Sequence, residues 1–226
     1  MELNLMLDYL SSLESNNSRE WFHANKEQYL AANKEFEELV EVLMEQLRQY
    51  DPAVPFVRPG DLTFKLQRDT RFSHDKSPYN PCFRAHIGAR GKLPVPVGYY
   101  IMIRPGNCSF LGGGLFADMF RDATTMVRDH IVKNGSRWEE IITAPDFKEY
   151  FTVGGTVLKK VPPGYDASHP QAEYLKNKSW YLEYPISDKQ LKAEDFVCSA
   201  CEVFRRMQPF HSYLNQALCD FRMPER

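Results

Sequence analysis

The sequence predicts an α+β fold, a mostly antiparallel sheet packed by several helices in a single domain spanning residues 1–226. Three observations predict it. Helical periodicity occupies both ends of the chain and one stretch in its middle. Strand-like runs cluster between residues 62 and 111, without the regular βα rhythm of a doubly wound sheet. Turn chemistry at Pro105-Gly106-Asn107 joins two of those runs as a hairpin would.

Taken in order, Leu3, Met6, Leu7, Leu10 and Leu13 recur at helical spacing and predict a short amphipathic helix over 3–13. Asn16-Asn17-Ser18 breaks it. Asn17 and Glu20 read as a capping box for a long helix that ends near Tyr50, with Phe22, Tyr29, Phe36, Val40, Leu43 and Leu47 on one stripe. Two prolines and a glycine make 53–60 a loop. Strands are expected at 62–67, at 83–88 and, most clearly, at 97–104, with 108–111 returning as the hairpin partner. A helix from about Asp118 to Asn134 should stop at Gly135. Ser136 with Glu139, and then Pro145, mark two further helix starts. Residues 151–158 read as a strand interrupted at Gly154-Gly155, and 180–184 as another. The tail from 192 to 218 reads as helix, kinked or restarted at Pro209.

Of the 226 residues 43% are hydrophobic, enough for a core that needs no metal or disulfide to hold it together. The net charge of −2 lacks the excess of a dedicated nucleic-acid binder, so nucleic acid is an unlikely partner. Five cysteines, an odd number in a chain this long, do not form a secreted framework. No run approaches the ~18 apolar residues of a membrane span. The first residues carry acids where a signal peptide carries cations. The expectation is a cytoplasmic protein with reduced thiols and no membrane contact.

The densest chemistry lies between Lys65 and Tyr79. Within it stand Lys65, Arg68, Arg71 and Lys76, two aspartates at 69 and 75, and Tyr79. Guanidinium groups offer rigid forks of donors that suit phosphate or carboxylate. One reading is therefore a site for a small anionic ligand. Lys65, Arg68, Arg71 and Lys76 hold the anion, Asp69 and Asp75 orient them with one as a base, and Tyr79 gives a proton or a hydrogen bond. The other reading is a structural ion-pair network, Arg68 with Asp75 and Arg71 with Asp69, that ties a loop to the sheet of a non-catalytic interaction protein. The residue types leave both open.

These same residues resemble an uncharacterised, mostly bacterial family, domain of unknown function 2461. Its hallmark is Arg-x-x-Arg-Asp-x-Arg-Phe, then Asp or Asn followed by Lys-x-x-Tyr. It falls here on Arg68, Asp69, Arg71, Phe72, Asp75, Lys76 and Tyr79, with Lys65 where the family has its first arginine. That lysine keeps the charge and loses the planar fork. Asn16 to Phe22, Phe110 to Gly114, and Lys159 through His169-Pro170 are also similar to the family. The resemblance implies membership and no activity.

Other candidates are weaker. Gly112 to Gly114, with Gly113 at its centre, offers close backbone approach to a phosphate, yet lacks the Walker and Gly-x-Gly-x-x-Gly spacings, and a glycine-rich strand explains it as well. Lys160 and His169 form a second polar cluster that either completes the ligand site or is a solvated turn. His74, beside Asp75, is the histidine placed to act as an acid or base. Cys198 and Cys201 have Cys-x-x-Cys spacing without a second pair, so no metal is expected, and no cofactor motif is present. No Gly-x-Ser-x-Gly elbow supports a serine hydrolase.

Overall fold

The computed structural model describes residues 2–116 and 120–224. Its order is α1 (Leu3–Ser15), α2 (Arg19–Ala24), α3 (Lys26–Leu47), α4 (Pro59–Leu62), β1 (Phe83–Ile87), β2 (Tyr99–Ile103), β3 (Ser109–Leu115), α5 (Arg121–Lys133), α6 (Gly135–Thr143), α7 (Pro145–Tyr150), α8 (Ala172–Leu175), β4 (Trp180–Ile186), α9 (Asp188–Leu191) and α10 (Phe196–Ala217). The four strands form one antiparallel sheet in the order β1-β2-β3-β4. The fold is α+β, as the pattern of the sequence predicts.

Alternation explains why helices cover one face. Tyr99, Ile101 and Ile103 of β2 are buried while Tyr100 and Met102 between them stay partly open. The buried set joins Ala85, Ile87, Leu111 and Leu182 under α3 and α10. The opposite face lacks such a cover. Its central row runs His86, Tyr100, Gly112, Glu183 across all four strands, because each is the register partner of the next.

Several expectations shift in detail. The long N-terminal helix divides at Asn25 into α2 and α3. Its cap is Ser18, whose hydroxyl accepts the Trp21 N–H, and not Asn17. The stretch 62–67 is no regular strand. It makes isolated bridges, Thr63 to Ala85 and Gln67 to Tyr79, and so adds an irregular edge beside β1. Residues 151–158 behave alike, bridging Gly154 to Tyr181 and Val157 to Asn177 at the opposite edge. The expected helix start at Asp118 lies outside the described residues. Gly135 does not stop α5 but begins α6, and Asn134, whose N–H bonds to the His130 carbonyl, alone separates the two. Pro145 opens α7 as expected. Pro209 sits inside a continuous α10.

The β2–β3 turn shows how the hairpin is fixed. Gly106 and Asn107 adopt φ of 80° and 58°, the left-handed pair a tight hairpin requires. Asp188 accepts both of their N–H groups at 3.0 Å, and Asn107 Oδ1 accepts the Asp188 N–H at 2.9 Å.

Candidate functional site

The Lys65–Tyr79 motif is the tip of a hairpin that extends the β1 edge. Its arms are joined by Arg68 N–H to the Pro78 carbonyl at 2.9 Å and Asn80 N–H to the Leu66 carbonyl at 2.7 Å. Phe64 N–H donates to the Arg84 carbonyl at 2.9 Å, which ties the arm to β1. The base is locked from the side. The Asn17 side chain donates to the Tyr79 carbonyl at 2.9 Å and accepts the Tyr79 N–H at 3.1 Å. The Tyr79 ring, 3% exposed, stacks on Phe22 at 4.2 Å.

Within the tip Arg68, Arg71 and Lys76 each have a local partner. Arg68 pairs with Asp75 and reaches Ser73 Oγ and the Ser77 carbonyl. Arg71 grips Asp69 with Nε at 3.0 Å and Nη2 at 2.6 Å. Lys76 Nζ donates to the Thr70 carbonyl at 3.0 Å. Hydrogen bonds from Ser77, and then from Arg68, hold the Asp75 carboxyl well below the usual range. The Arg71 side chain does the same to Asp69. Carboxylates held that firmly ionised are weak bases. Lys65 is exposed, and its carbonyl accepts from Arg84 Nη2 at 3.4 Å. His74 is exposed at the tip, beside Asp75.

The other expected residues lie elsewhere. Gly113 points to the covered face, where an added Cβ would sit 2.1 Å from His211 Nε2, so its missing side chain makes room for that ring. Lys160 and His169 follow in sequence the segment that bridges β4 at Gly154, on the sheet edge opposite the motif. His169 Nδ1 accepts the Gln171 N–H at 3.0 Å, and its ring borders Gly135. Cys198 is exposed and Cys201 half-buried on α10, where burial pushes the Cys201 thiol up to about 11. Among the described residues, no group of three or more His, Cys, Asp or Glu is placed to hold a metal ion.

A second candidate lies on the uncovered face of the sheet. A cleft of about 320 Å³ opens there, with Phe64, Tyr100, Phe110 and Phe116 as walls and Lys92, His86 and Glu183 as its polar groups. Tyr100 is its hub, with ring centroids of Phe110 and Phe116 both 5.7 Å away and Phe64 at 6.3 Å. Phe116 stacks on Tyr181 at 4.6 Å. The absence of a side chain at Gly112 lets the Phe110 ring lie over the strand, since a Cβ there would stand 3.1 Å from it. Beside the cleft, Arg84 packs its guanidinium over Phe64 at 5.5 Å, and its buried Nε has no hydrogen-bond partner. Lys92 Nζ donates to the Thr63 carbonyl at 2.9 Å. Two cations therefore flank Phe64 on the edge that leads into the motif.

Partial desolvation pushes the Glu183 carboxyl up, although the residue stays exposed, and burial pushes the His86 imidazole down. His86 Nδ1 lies 3.1 Å from the Gly91 carbonyl and must carry the proton, which leaves Nε2 as an acceptor. The strand alternation places Arg84, His86 and Tyr100 on one face, but the register that aligns them with Glu183 and brings Phe64, Lys92 and Phe116 around them is long-range.

Fold and site together define an α+β protein with an antiparallel four-stranded sheet, helices on one face and an aromatic cleft on the other. The chain belongs to the conserved hypothetical protein family DUF2461, whose model matches residues 5–213. No curated protein and no solved structure matches it. Among the described residues, no helix is long and apolar enough to cross a membrane.

Proposed function

We propose that the protein binds a small anionic ligand, bearing phosphate or carboxylate, where the motif-built edge meets the open face of the sheet. The observation that carries this reading is the pair of cations that flank Phe64, Lys92 in the cleft lining and Arg84 with its guanidinium over the Phe64 ring. An apolar cleft with a few convergent polar groups is the usual form of a small-molecule site. In this reading the Arg68–Asp75 pair braces the hairpin, which in turn positions Phe64 and Lys65. The reading assigns no reaction, and it places the protein in the cytoplasm.

A thermal-shift screen against phosphates, nucleotides, sugar phosphates and carboxylates tests it, because a selective ligand stabilises by mass action. The expected result is a concentration-dependent rise that Lys92→Met removes and Arg71→Ala preserves. The reverse pattern would move the anion to the motif tip, where Arg68, Arg71 and Lys76 would hold it.

A second reading rests on Phe72, which is 95% exposed beside Arg71 at the hairpin tip. A large exposed ring next to an exposed guanidinium suits contact with a protein partner. It predicts no small-molecule stabilisation in the same screen.

A further inference from the structure

The cleft's walls say more about the ligand than its charge does. Four aromatic side chains surround a space of about 320 Å³, close to the lower limit of small-molecule pockets. Phe116 is 39% exposed, so its ring is available on the cleft side while Tyr181 covers another part of it. Tyr100 stacks on Phe110 at an interplanar angle of 25° and meets Phe116 at 45°, so Phe116 tilts against a stacked pair as one side of a wedge. A flat, apolar-faced group fits such a wedge better than a sugar or an aliphatic chain does.

The polar groups suit the edge of a heteroaromatic ring. His86 carries a bare acceptor, and Glu183 supplies a second polar group from β4, at the other end of the same cross-strand row. Together they match a ring that carries amino and ring-nitrogen positions. Lys92 in the lining and Arg84 over Phe64 then offer two cations on one side of the cleft for a phosphate attached to that ring system.

Resting on the anion-site reading above, we propose that the ligand is a mononucleotide, its base against Tyr100 and Phe116 and its phosphate between Lys92 and Arg84. The overall charge of −2 favours a free nucleotide over a polynucleotide, which would need a long basic track.

Calorimetric titration of the whole chain with AMP, GMP, CMP, UMP, ribose 5-phosphate and inorganic phosphate tests this, run on the wild type, Phe116→Ala and Lys92→Met. One stacked base is worth about tenfold or more in affinity. At least one nucleotide should therefore bind about tenfold tighter than ribose 5-phosphate. Phe116→Ala should erase that advantage and leave ribose 5-phosphate binding unchanged, while Lys92→Met should weaken both. Phe116→Leu, which keeps the apolar bulk without the flat ring, should also lose the advantage, and serves if the alanine variant unfolds. Equal binding of ribose 5-phosphate and all four nucleotides would overturn the nucleotide proposal and leave the anion site standing. Absence of any binding would overturn both. A single-stranded oligonucleotide that binds more than about tenfold tighter than every mononucleotide would replace the proposal with a nucleic-acid surface.

Discussion

Asn17 holds the backbone of Tyr79, 62 residues away, by two hydrogen bonds made with one side-chain amide. The amide does what a neighbouring strand would do for that residue, and it fastens the base of the charged hairpin to the turn between α1 and α2. Asn17→Ala removes both bonds and leaves a part-buried N–H and C=O to find water. The expected loss is about 2 kcal/mol, from roughly 1 kcal/mol per bond. Urea denaturation measures it, and a loss below about 0.5 kcal/mol would show that water replaces the clamp without cost.

Gly113 and His211 form a second tight relationship. A Cβ at 113 would meet Nε2 at 2.1 Å, Cε1 at 2.5 Å and the Gly98 carbonyl at 2.9 Å. The ring is 4% exposed and packed against Tyr99, so it has little room to withdraw. Gly113→Ala should therefore destabilise by about 3 kcal/mol, the upper part of the range for overpacking. Adding His211→Ala should return part of that loss, because the two sites share one contact, and a double-mutant cycle in urea reads the coupling. Strictly additive losses would mean that the backbone at Gly98, and not His211, sets the need for glycine.

The same histidine gives the protein an acid limb. Burial, and then the neighbouring His86, push the His211 imidazole from 6.5 down to about 3. The unfolded chain therefore takes up a proton near its ordinary pKa that the folded chain refuses. Stability is full above about pH 6.5 and falls as pH drops toward about 3, by up to about 1.4 kcal/mol per pH unit for this one proton. His86 is shifted in the same direction and adds to the slope. Denaturation between about pH 7 and about pH 5 should show a shallower slope in His211→Gln than in the wild type. Parallel slopes would assign the acid limb to other groups.

How far these features were legible depends on whether their causes were local. The strand at 97–104 and the turn at 105–107 could be read because alternation and turn chemistry act over a few residues. The α+β class followed from the same signals. Asn17 looks like a helix cap in sequence, but its partner, Tyr79, is distant, and Ser18 beside it supplies the cap. The stretch 62–67 alternates like a strand but bridges β1 only at Thr63, and its other bridge, Gln67 to Tyr79, turns back onto its own hairpin arm. The motif's ion pairs were foreseen as one of two readings because Asp69 and Arg71 are two residues apart. The cleft was not, because it needs the register of four strands to put His86, Tyr100, Gly112 and Glu183 in one row.

The two motif arginines should separate cleanly in stability. Arg71 and Asp69 are 77% and 58% exposed, so their pair is screened by water and holds two mobile side chains. Arg71→Ala should leave the melting temperature unchanged within a few degrees. Arg68 is different, being 27% exposed and gathering Asp75, Ser73 and the Ser77 carbonyl around one guanidinium. It closes the hairpin tip from within, just beyond the Gln67–Tyr79 bridge. Its loss removes the donor for three acceptors together, so Arg68→Ala should lower the melting temperature clearly more than Arg71→Ala does. Arg68→Lys should recover little of that loss, because one ammonium cannot reproduce a planar fork aimed at three acceptors. Differential scanning calorimetry of the three variants decides it. Equal melting temperatures for all three would show that the network does not brace the hairpin, and would return the motif's arginines to the anion-binding role.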